Sequence, residues 1–229
     1  KIVDTVTRRL LAARSRRVRP GCDDKIIASW NGLMVRTIAE AARAFDDVEL
    51  HGLALNAGAF LMRALVRDGD ASTGTMRVWR SFRDGDARIP GFLEDHAAVG
   101  LACLALYELT LDAAWLQRAR ALADACVLHF WDEGTSSFHD TADDAEQLVV
   151  RPRDPTDQAA PSGTSLAAEL LARLADVLAD ADYRRRATFV AESLAEPMAQ
   201  HPTAFGHMLG VAELLTNGAV ELALVGDPE

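Results

Sequence analysis

One stretch of this sequence, from Ala97 to Tyr107, contains no charged residue and is apolar on every side of a helix. A helix of this composition is buried on all sides, because none of its faces gains from contact with water. It is far shorter than the roughly 20 residues that a bilayer-spanning helix needs. The residues that follow, 112–130, have only one apolar face. A fully buried helix followed by an amphipathic helix predicts two concentric layers, an inner and an outer one.

The rest of the chain also favours helices. It has 229 residues, of which 41 are Ala and 29 are Leu, both strong helix formers. Apolar residues recur at spacings of three or four, as they do on one face of a helix. Three such stripes are Trp30, Met34, Ile38, Ala41 and Phe45; Trp115, Ala119, Leu122, Cys126 and Phe130; and Leu166, Leu170, Leu174 and Val177. We expect an all-α fold of about eight helices.

The connections between these helices differ in length. The short ones are 110–112, 180–182 and 201–202, and the long ones are 19–25, 69–91 and 131–161. Short connections with capping residues predict antiparallel hairpins. Long connections inside a compact domain are usually functional, and here they would lie together at one end of a helical barrel. Short strands are expected at 75–82, 137–139 and 220–225.

Charge and cysteine content exclude several functions. The chain has 24 basic and 34 acidic residues, a net charge of −10, which argues against general binding to nucleic acid or anionic membranes. Seven basic residues against Asp4 give residues 1–19 a charge of +6, and the remainder carries −16. We expect an amphipathic helix there whose basic face docks on an acidic surface. Three cysteines without a C-x-x-C pair argue against a disulfide scaffold and predict a cytoplasmic protein.

Polar residues that can carry chemistry cluster in three long connections, each of which runs into the start of a helix. The first cluster is Arg19, Asp23, Asp24, Lys25, Trp30 and Asn31; the second is Phe92, Glu94, Asp95 and His96; the third is Asp157, Ser162 and Thr164. Carboxylates from different connections that meet at one mouth supply an acid and a base. The candidate catalytic residues are Asp24, Glu94, Asp95 and His96, and the other residues of the clusters are candidate substrate-binding residues.

Each of these residues also has a structural explanation. Acids in a first helical turn cap the backbone and complement the helix dipole. Trp30 lies on an apolar stripe and fits a core better than a platform for stacking a sugar, and His96 is equally a base or a structural histidine. The sequence has no phosphate-binding glycine loop, no nucleophile elbow and no zinc-site spacing of His and Cys. We expect no cofactor and no metal.

Four motifs, taken in order, resemble the thioredoxin-domain-containing proteins of the spermatogenesis-associated type. Residues 23–34 read DDKIIASWNGLM and are close to the DDK-to-WNGL signature of that family. Residues 91–97 (GFLEDHA), 106–116 (LYELT to WL) and 161–165 (PSGTS) are similar to its GFLDDYA, LYExT to WL and PSGNS motifs. The resemblance covers about residues 19–226. Glu94, His96 and Thr164 replace the usual Asp, Tyr and Asn, which implies altered ligand contacts or reduced activity.

The resemblance implies an (α/α)6 toroid like that of N-acylglucosamine 2-epimerase and the six-hairpin glycosidases, joined in the family to a thioredoxin-like domain. Six hairpins need twelve helices, so we expect residues 1–229 to form a single domain that is part of a toroid, with the thioredoxin-like domain outside this chain. An incomplete ring would expose an apolar edge and dimerise through it.

Three functions follow as alternatives. The first is sugar binding or processing at the mouth of the barrel, either epimerase-like or glycosidase-like. The second is a non-catalytic interaction domain that partners a thioredoxin-like domain. The third is a thiol-redox role, which needs two cysteines within reach of each other.

Overall fold

A computed structural model describes residues 2–69 and 72–220 of the chain. The helices are α1 (Ile2–Ser15), α2 (Ala28–Phe45), α3 (Val48–Leu65), α4 (Leu93–Thr110), α5 (Ala113–Phe130), α6 (Gly163–Leu178), α7 (Ala181–Ser193), α8 (Ala195–Gln200) and α9 (Gly206–Asn217). The strands are β1 (Ile26–Ile27), β2 (Val66–Asp68), β3 (Met76–Arg83), β4 (Asp86–Pro90), β5 (Trp131–Asp132) and β6 (Ser137–Phe138). The described part of the chain contains no helix that combines the length and the apolarity needed to cross a lipid bilayer.

The helices form the two layers that the sequence predicts. One layer is α2, α4, α6 and α9, each of which contacts the next. In the other layer α3 packs on α2, α5 on α4 and α7 on α6. These pairs are antiparallel hairpins, and the all-α expectation is confirmed. The short helix α8 is additional to the eight that we expected.

Three of the hairpins turn through the same two-residue connection. The first residue is Asp46, Leu111 or Ala179, and the second is Asp47, Asp112 or Asp180. The first has a left-handed backbone, and its N–H donates to the carbonyl four residues earlier. The aspartate that follows accepts N–H groups of the next helix and caps it. The turns at 46–47, 111–112 and 179–180 therefore lie at one end of the layers. The connection predicted at 201–202 is not such a turn, because α8 is followed there by a short 3-10 helix, Pro202–Ala204.

Helix α4 is buried on all sides, as its composition predicts. Thirteen of its 18 residues are buried, and α2, α3, α5 and α6 all pack against it. Its approach to α2 is close: a Cβ built on Gly32 would lie 2.7 Å from the carbonyl carbon of Ala98 and 2.9 Å from the amide nitrogen of Val99. The backbones of these two helices are therefore in direct contact.

The buried face of α2 is not the one that the apolar stripe predicted. Trp30, Met34 and Phe45 are 69%, 58% and 76% exposed. The buried residues of α2 are Ala28, Ser29, Gly32, Val35, Ala39 and Ala42. The physical reason is the close approach to α4, which admits only small side chains between the two backbones. The stripe predicted for α5 is buried from Trp115 to Phe130.

The strands lie in the long connections. β3 covers the strand expected at 75–82 and pairs antiparallel with β1, β2 and β4. The strand expected at 137–139 is β6, which pairs with β5. Of the strand expected at 220–225, Val220 is not in a strand and the other residues lie outside the described ranges.

The cysteines are placed in a way that contradicts the thiol-redox alternative. Cys103 and Cys126 are buried, and Cys22 is exposed. Burial raises the pKa of the Cys103 thiol to about 12, and burial also raises the pKa of Cys126. A thiolate is the reactive form, so only Cys22 is available for exchange chemistry.

Helical glycines offer a direct test of the α2–α4 contact. We expect Gly32→Ala to lower the free energy of unfolding by about 1–3 kcal/mol, because the added methyl group meets backbone atoms that must move apart. The matched variant is Gly52→Ala in α3, where nothing lies within 4 Å of the added Cβ. It should raise stability by up to about 1 kcal/mol through helix propensity alone. Urea unfolding of both variants checks this, and equal signs for the two would contradict the close contact.

Candidate functional site

A cavity of about 630 Å³ lies between the starts of α4 and α6 and the connection at 131–162. Its wall consists of Phe92, Glu94, Asp140, Thr141, Leu148, Pro152, Asp154, Thr156, Gln158, Ala159, Ala160, Pro161, Ser162 and Gly163. The second and third predicted clusters therefore meet here, through Phe92, Glu94 and Ser162. We call it the acid-lined cavity, because three carboxylates lie in its wall.

The environments of two of these carboxylates shift their pKa values in opposite directions. Burial raises the pKa of Asp140, and the negative charges of Asp154 and Glu94 raise it further, against a hydrogen bond of 3.0 Å from the Asp154 N–H. Hydrogen bonds from the hydroxyl and the N–H of Thr156 lower the pKa of Asp154. Two carboxyls whose environments push their pKa values apart form the usual arrangement of an acid and a base.

Arg80, on β3, holds the third carboxylate. Its Nη1 donates to Oε1 of Glu94 at 2.7 Å and to Oδ2 of Asp95 at 3.1 Å. Its guanidinium also stacks over the ring of Phe92, 4.6 Å from the centroid. One cation thus fixes the positions of a carboxylate and an aromatic ring in the cavity wall.

Asp95 lies behind the wall and has no exposed surface. Oδ1 accepts the N–H of Ser29 at 3.0 Å, and Oδ2 accepts the N–H of Phe92 at 2.9 Å. Burial raises the pKa of Asp95, and these hydrogen bonds together with the charge of Arg80 oppose that effect. Asp95 thus caps the starts of α2 and α4, a structural role that accounts for both of its oxygens.

His96 also lies outside the cavity wall and is completely buried. Nδ1 donates to the carbonyl oxygen of Phe92 at 2.9 Å, and Nε2 accepts the N–H of Val78 at 3.2 Å. Burial lowers the pKa of His96 to about 4, so the ring is neutral near pH 7. With both nitrogens in use, the geometry gives His96 a structural role in place of the expected catalytic one.

The first predicted cluster stays outside the cavity. Asp24 pairs with Nε of Arg83 at 2.8 Å, and Asp23 pairs with Nζ of Lys25 at 3.1 Å. The hydrogen bond to Lys25 lowers the pKa of Asp23. Arg19, Trp30 and Asn31 are likewise absent from the cavity wall. These charges pair with their neighbours in water, and no described residue of the connection at 131–162 reaches them.

Of the third cluster, Ser162 lines the cavity, whereas Asp157 and Thr164 have structural positions outside its wall. Oδ1 of Asp157 accepts the N–H of Ser162 at 2.9 Å, and Oδ2 accepts the N–H groups of His207 and Met208 at 2.8 and 3.2 Å. Asp157 therefore joins the starts of α6 and α9, and it does not line the cavity. Thr164 is buried in α6, away from the wall.

Sequence reasoning missed Arg80, Asp140 and Thr141. Asp140 belongs to no motif, and the only signal for it was its position directly after a short strand in a long connection. Thr141 has a buried hydroxyl oxygen with no hydrogen-bond partner. An unpaired polar atom in a cavity wall is costly unless a ligand or water completes it.

One group of side chains has metal-ligand chemistry. His129, Asp143 and Asp144 bring a ring nitrogen and two carboxylate oxygens within 4.8 Å of one another. Arg77 donates to both oxygens of Asp144, at 2.7 and 2.9 Å. A guanidinium already neutralises this carboxylate, so we assign no metal to the group.

His96 generates a pH-dependent stability that can be measured. Its folded pKa of about 4 lies below the ordinary value of 6.5, so the unfolded chain binds more protons between these pH values. We expect stability to fall as pH decreases from 6.5 to 4, by up to about 3 kcal/mol from this residue at 1.36 kcal/mol per pKa unit. The measurement is urea unfolding at pH 7 and pH 4.5 for the wild type and His96→Gln. Equal pH dependence in the two proteins would contradict the burial of a neutral ring.

The raised pKa of Asp140 depends in part on Glu94. Glu94→Gln removes a neighbouring negative charge, and we expect it to lower the pKa of Asp140 in a carboxyl ¹³C NMR titration. The matched control is Glu192→Gln on an exposed part of α7, which should leave Asp140 unchanged. An unaltered titration of Asp140 in Glu94→Gln would mean that the two carboxyls do not interact.

Some known proteins are similar to this chain in sequence, and others are similar to it in fold. No family model matches it. Spermatogenesis-associated protein 20 from Rattus norvegicus is 29% identical over 235 residues, which is 100% of this chain and 29% of the relative. The protein of the same name from Homo sapiens is 30% identical over 228 residues, 96% of this chain and 28% of the relative. The chain therefore spans less than a third of the length of these curated relatives.

Solved structures share the fold. Cellobiose 2-epimerase from Spirochaeta thermophila superposes with a TM-score of 0.60 at 18% identity, over 74% of this chain and 43% of the epimerase. The GH76A α-1,6-mannanase from Salegentibacter superposes with a TM-score of 0.58 at 11% identity, over 74% and 47% of the two chains. At these identities the likeness concerns the fold alone. The chain is thus similar in sequence to one segment of spermatogenesis-associated protein 20, and its fold is similar to part of the cellobiose 2-epimerase and α-1,6-mannanase folds.

Proposed function

We propose that this chain binds and processes a saccharide in the acid-lined cavity. The observation that supports this most strongly is that Asp140, Asp154 and Glu94 lie in one wall, where the pKa of Asp140 is raised and the pKa of Asp154 is lowered. Glycoside hydrolysis uses two carboxyl groups, one that donates a proton to the leaving oxygen and one that assists at the sugar carbon.

The remaining wall suits a sugar. The Phe92 ring provides an apolar surface, kept in place by Arg80. Glu94 and Asp154 add fixed polar groups to this wall. Pockets that bind small molecules combine such apolar walls with a few fixed polar groups, and the volume of about 630 Å³ accommodates a di- or trisaccharide.

One solved neighbour depends on carboxylates: the Salegentibacter mannanase is described as inactive when two consecutive aspartates are both replaced by asparagine. Epimerase chemistry needs a base at a sugar carbon, and His96 has no ring nitrogen available for it. We therefore favour glycosidase-like over epimerase-like processing at this cavity.

We also propose that residues 1–229 form one domain within a larger toroid. The described helices superpose on less than half of the epimerase and mannanase chains, as an arc of a ring would. On this proposal the thioredoxin-like domain of the family lies outside the residues given.

One observation favours a second function, a non-catalytic interaction domain. Every residue of α1 is exposed, including Leu10, Leu11 and its arginines. An exposed amphipathic helix is suited to contact a partner, and the thioredoxin-like domain or a second copy of the chain through its open edge would be such partners. Capture of a thioredoxin-like domain that is lost when Arg8, Arg9 and Arg14 become Ser, with no sugar binding at all, would favour this function over the first.

The test of the first function is calorimetric titration with cellobiose, D-mannose and α-1,6-mannotriose. We expect one of these to bind, and Asp140→Asn to weaken its binding by roughly 0.5–1.5 kcal/mol, the range for a hydrogen bond between uncharged groups. The matched control, Asp86→Asn on the exposed strand β4, should bind as the wild type does. Absence of binding, or equal binding by the two variants, would contradict the proposal. If the wild type releases reducing ends and Glu94→Gln does not, hydrolysis would be established.

A further inference from the structure

A second cavity, of about 440 Å³, lies between α6 and α9 and shares no wall residue with the acid-lined cavity. Its wall consists of Glu169, Arg173, Gly206, His207, Gly210, Val211, Glu213, Leu214, Asn217 and Gly218. We call it the α6–α9 cavity. None of the predicted clusters contributes to it.

Glu169 is the best-bonded carboxylate of this cavity. It is 6% exposed and accepts Nη1 and Nη2 of Arg36 at 2.7 Å each. It also accepts Nε of Arg173 at 2.7 Å and Nε2 of His207 at 2.8 Å. Burial alone would raise the pKa of Glu169, but the hydrogen bonds from His207 and Arg36 outweigh it and lower the pKa. Each of its oxygens already accepts two hydrogen bonds, so its role is to hold the side chains of Arg36, Arg173 and His207.

The bond to Glu169 decides the tautomer of His207. An ionised carboxylate only accepts, so the hydrogen of a neutral ring is on Nε2 and the lone pair is on Nδ1. No described residue forms a hydrogen bond with Nδ1 of His207. The backbone N–H of His207 is bound to Asp157 at 2.8 Å. Glu169 therefore holds the ring through Nε2, and Asp157 holds the backbone of the same residue. His207 lines the cavity, and Nδ1 is the ring atom left to accept a hydrogen bond.

Arg173 contributes hydrogen-bond donors to the same cavity, and Glu169 positions it as well. Its Nε is bound to Glu169, and neither terminal nitrogen has a hydrogen-bond partner among the described residues. Its side chain is 36% exposed, and it lines the cavity beside His207. The wall thus offers one fixed acceptor and a pair of donors whose positions a single buried carboxylate determines.

Two glycines of α9 leave part of the cavity wall without side chains. Gly206 and Gly210 lie one turn apart on α9 and both line the cavity. A Cβ built on either residue meets nothing within 4 Å. Side chains at these positions would project into space that the glycines leave open.

The charges around the cavity indicate the class of ligand. Two guanidinium groups, Arg36 and Arg173, stand against three carboxylates, Glu169, Glu213 and the Glu40 that binds Arg36 at 2.8 Å. There is no positive excess to attract a phosphate or a sulfate. Donors and acceptors in one wall, without net positive charge, match a neutral ligand rich in hydroxyl groups.

We propose that the α6–α9 cavity is a second saccharide site, in which Nδ1 of His207 accepts a hydrogen bond from a ligand hydroxyl and Arg173 donates to a ligand oxygen. The class of ligand rests on the proposed function, and the position of the site does not. Glu169 acts here as a positioning residue, because it orients both groups and has no oxygen left for the ligand.

The test is an NMR titration of the full chain, with ¹⁵N-labelled histidine, by cellobiose, D-mannose and α-1,6-mannotriose. His207→Gln identifies the signals of His207 among the six histidines. We expect Nδ1 of His207 to show the shift of an unprotonated nitrogen and to move on addition of at least one sugar. Gly210→Leu fills the cavity without touching Glu169 and should abolish the response while keeping the fold, and Gly210→Ala should reduce it. Asp140→Asn, in the acid-lined cavity, should leave it intact.

The outcomes separate this proposal from the previous one. If a sugar binds in an Asp140-dependent way while His207 stays silent, the α6–α9 site is wrong and the proposed function stands. If His207 responds and Asp140→Asn binds sugar as the wild type does, the proposed function fails and this site stands. A hydrogen on Nδ1 of His207, an unchanged response in Gly210→Leu, or a response to inorganic phosphate alone would each overturn the inference.

Discussion

The burial of α4 on every side is the constraint on which the rest of the structure depends. A helix without a polar face must be enclosed by its neighbours, and α2, α3, α5 and α6 enclose it. On the remaining side the ion pair of Arg36 and Glu169 passes from α2 to α6, and Arg36 lies in one pocket with Leu101 and Leu104 of α4. The same ion pair that covers an apolar helix thus supplies the carboxylate that organises the α6–α9 cavity.

Two carboxylates that were candidate site residues, one catalytic and one substrate-binding, join neighbouring helices of the inner layer. Asp95 binds N–H groups at the starts of α2 and α4, and Asp157 binds those at the starts of α6 and α9. Because the two-residue turns lie at the opposite end, these unsatisfied N–H groups all meet at the end with the long connections. These two acids therefore set the spacing of four helices, and Glu94 and Ser162 line a cavity near them.

Sequence reasoning succeeded where a pattern had one physical cause. The uncharged stretch of α4 and the stripe of α5 predicted burial correctly, and the second and third clusters met at one cavity. The prediction for α2 was wrong because a stripe of large residues was weighed above the small ones, although only Gly32 and its alanine neighbours fit against α4. Asp140, Arg80 and Glu169 were missed because a lone charged residue has no motif, and its role comes from partners far away in the chain.

Helix α1 differs from all the others in having no buried residue. A helix of 14 residues that buries none of them is only marginally stable, because isolated helices shorter than about 12–15 residues barely form in water. Its arginines are accordingly open to trypsin. Cleavage after Arg17, the last arginine here that does not precede a proline, would detach a segment of charge +5 and leave a core of charge −15. Retention on an anion-exchange column would then reveal whether this arm is intact in any given preparation.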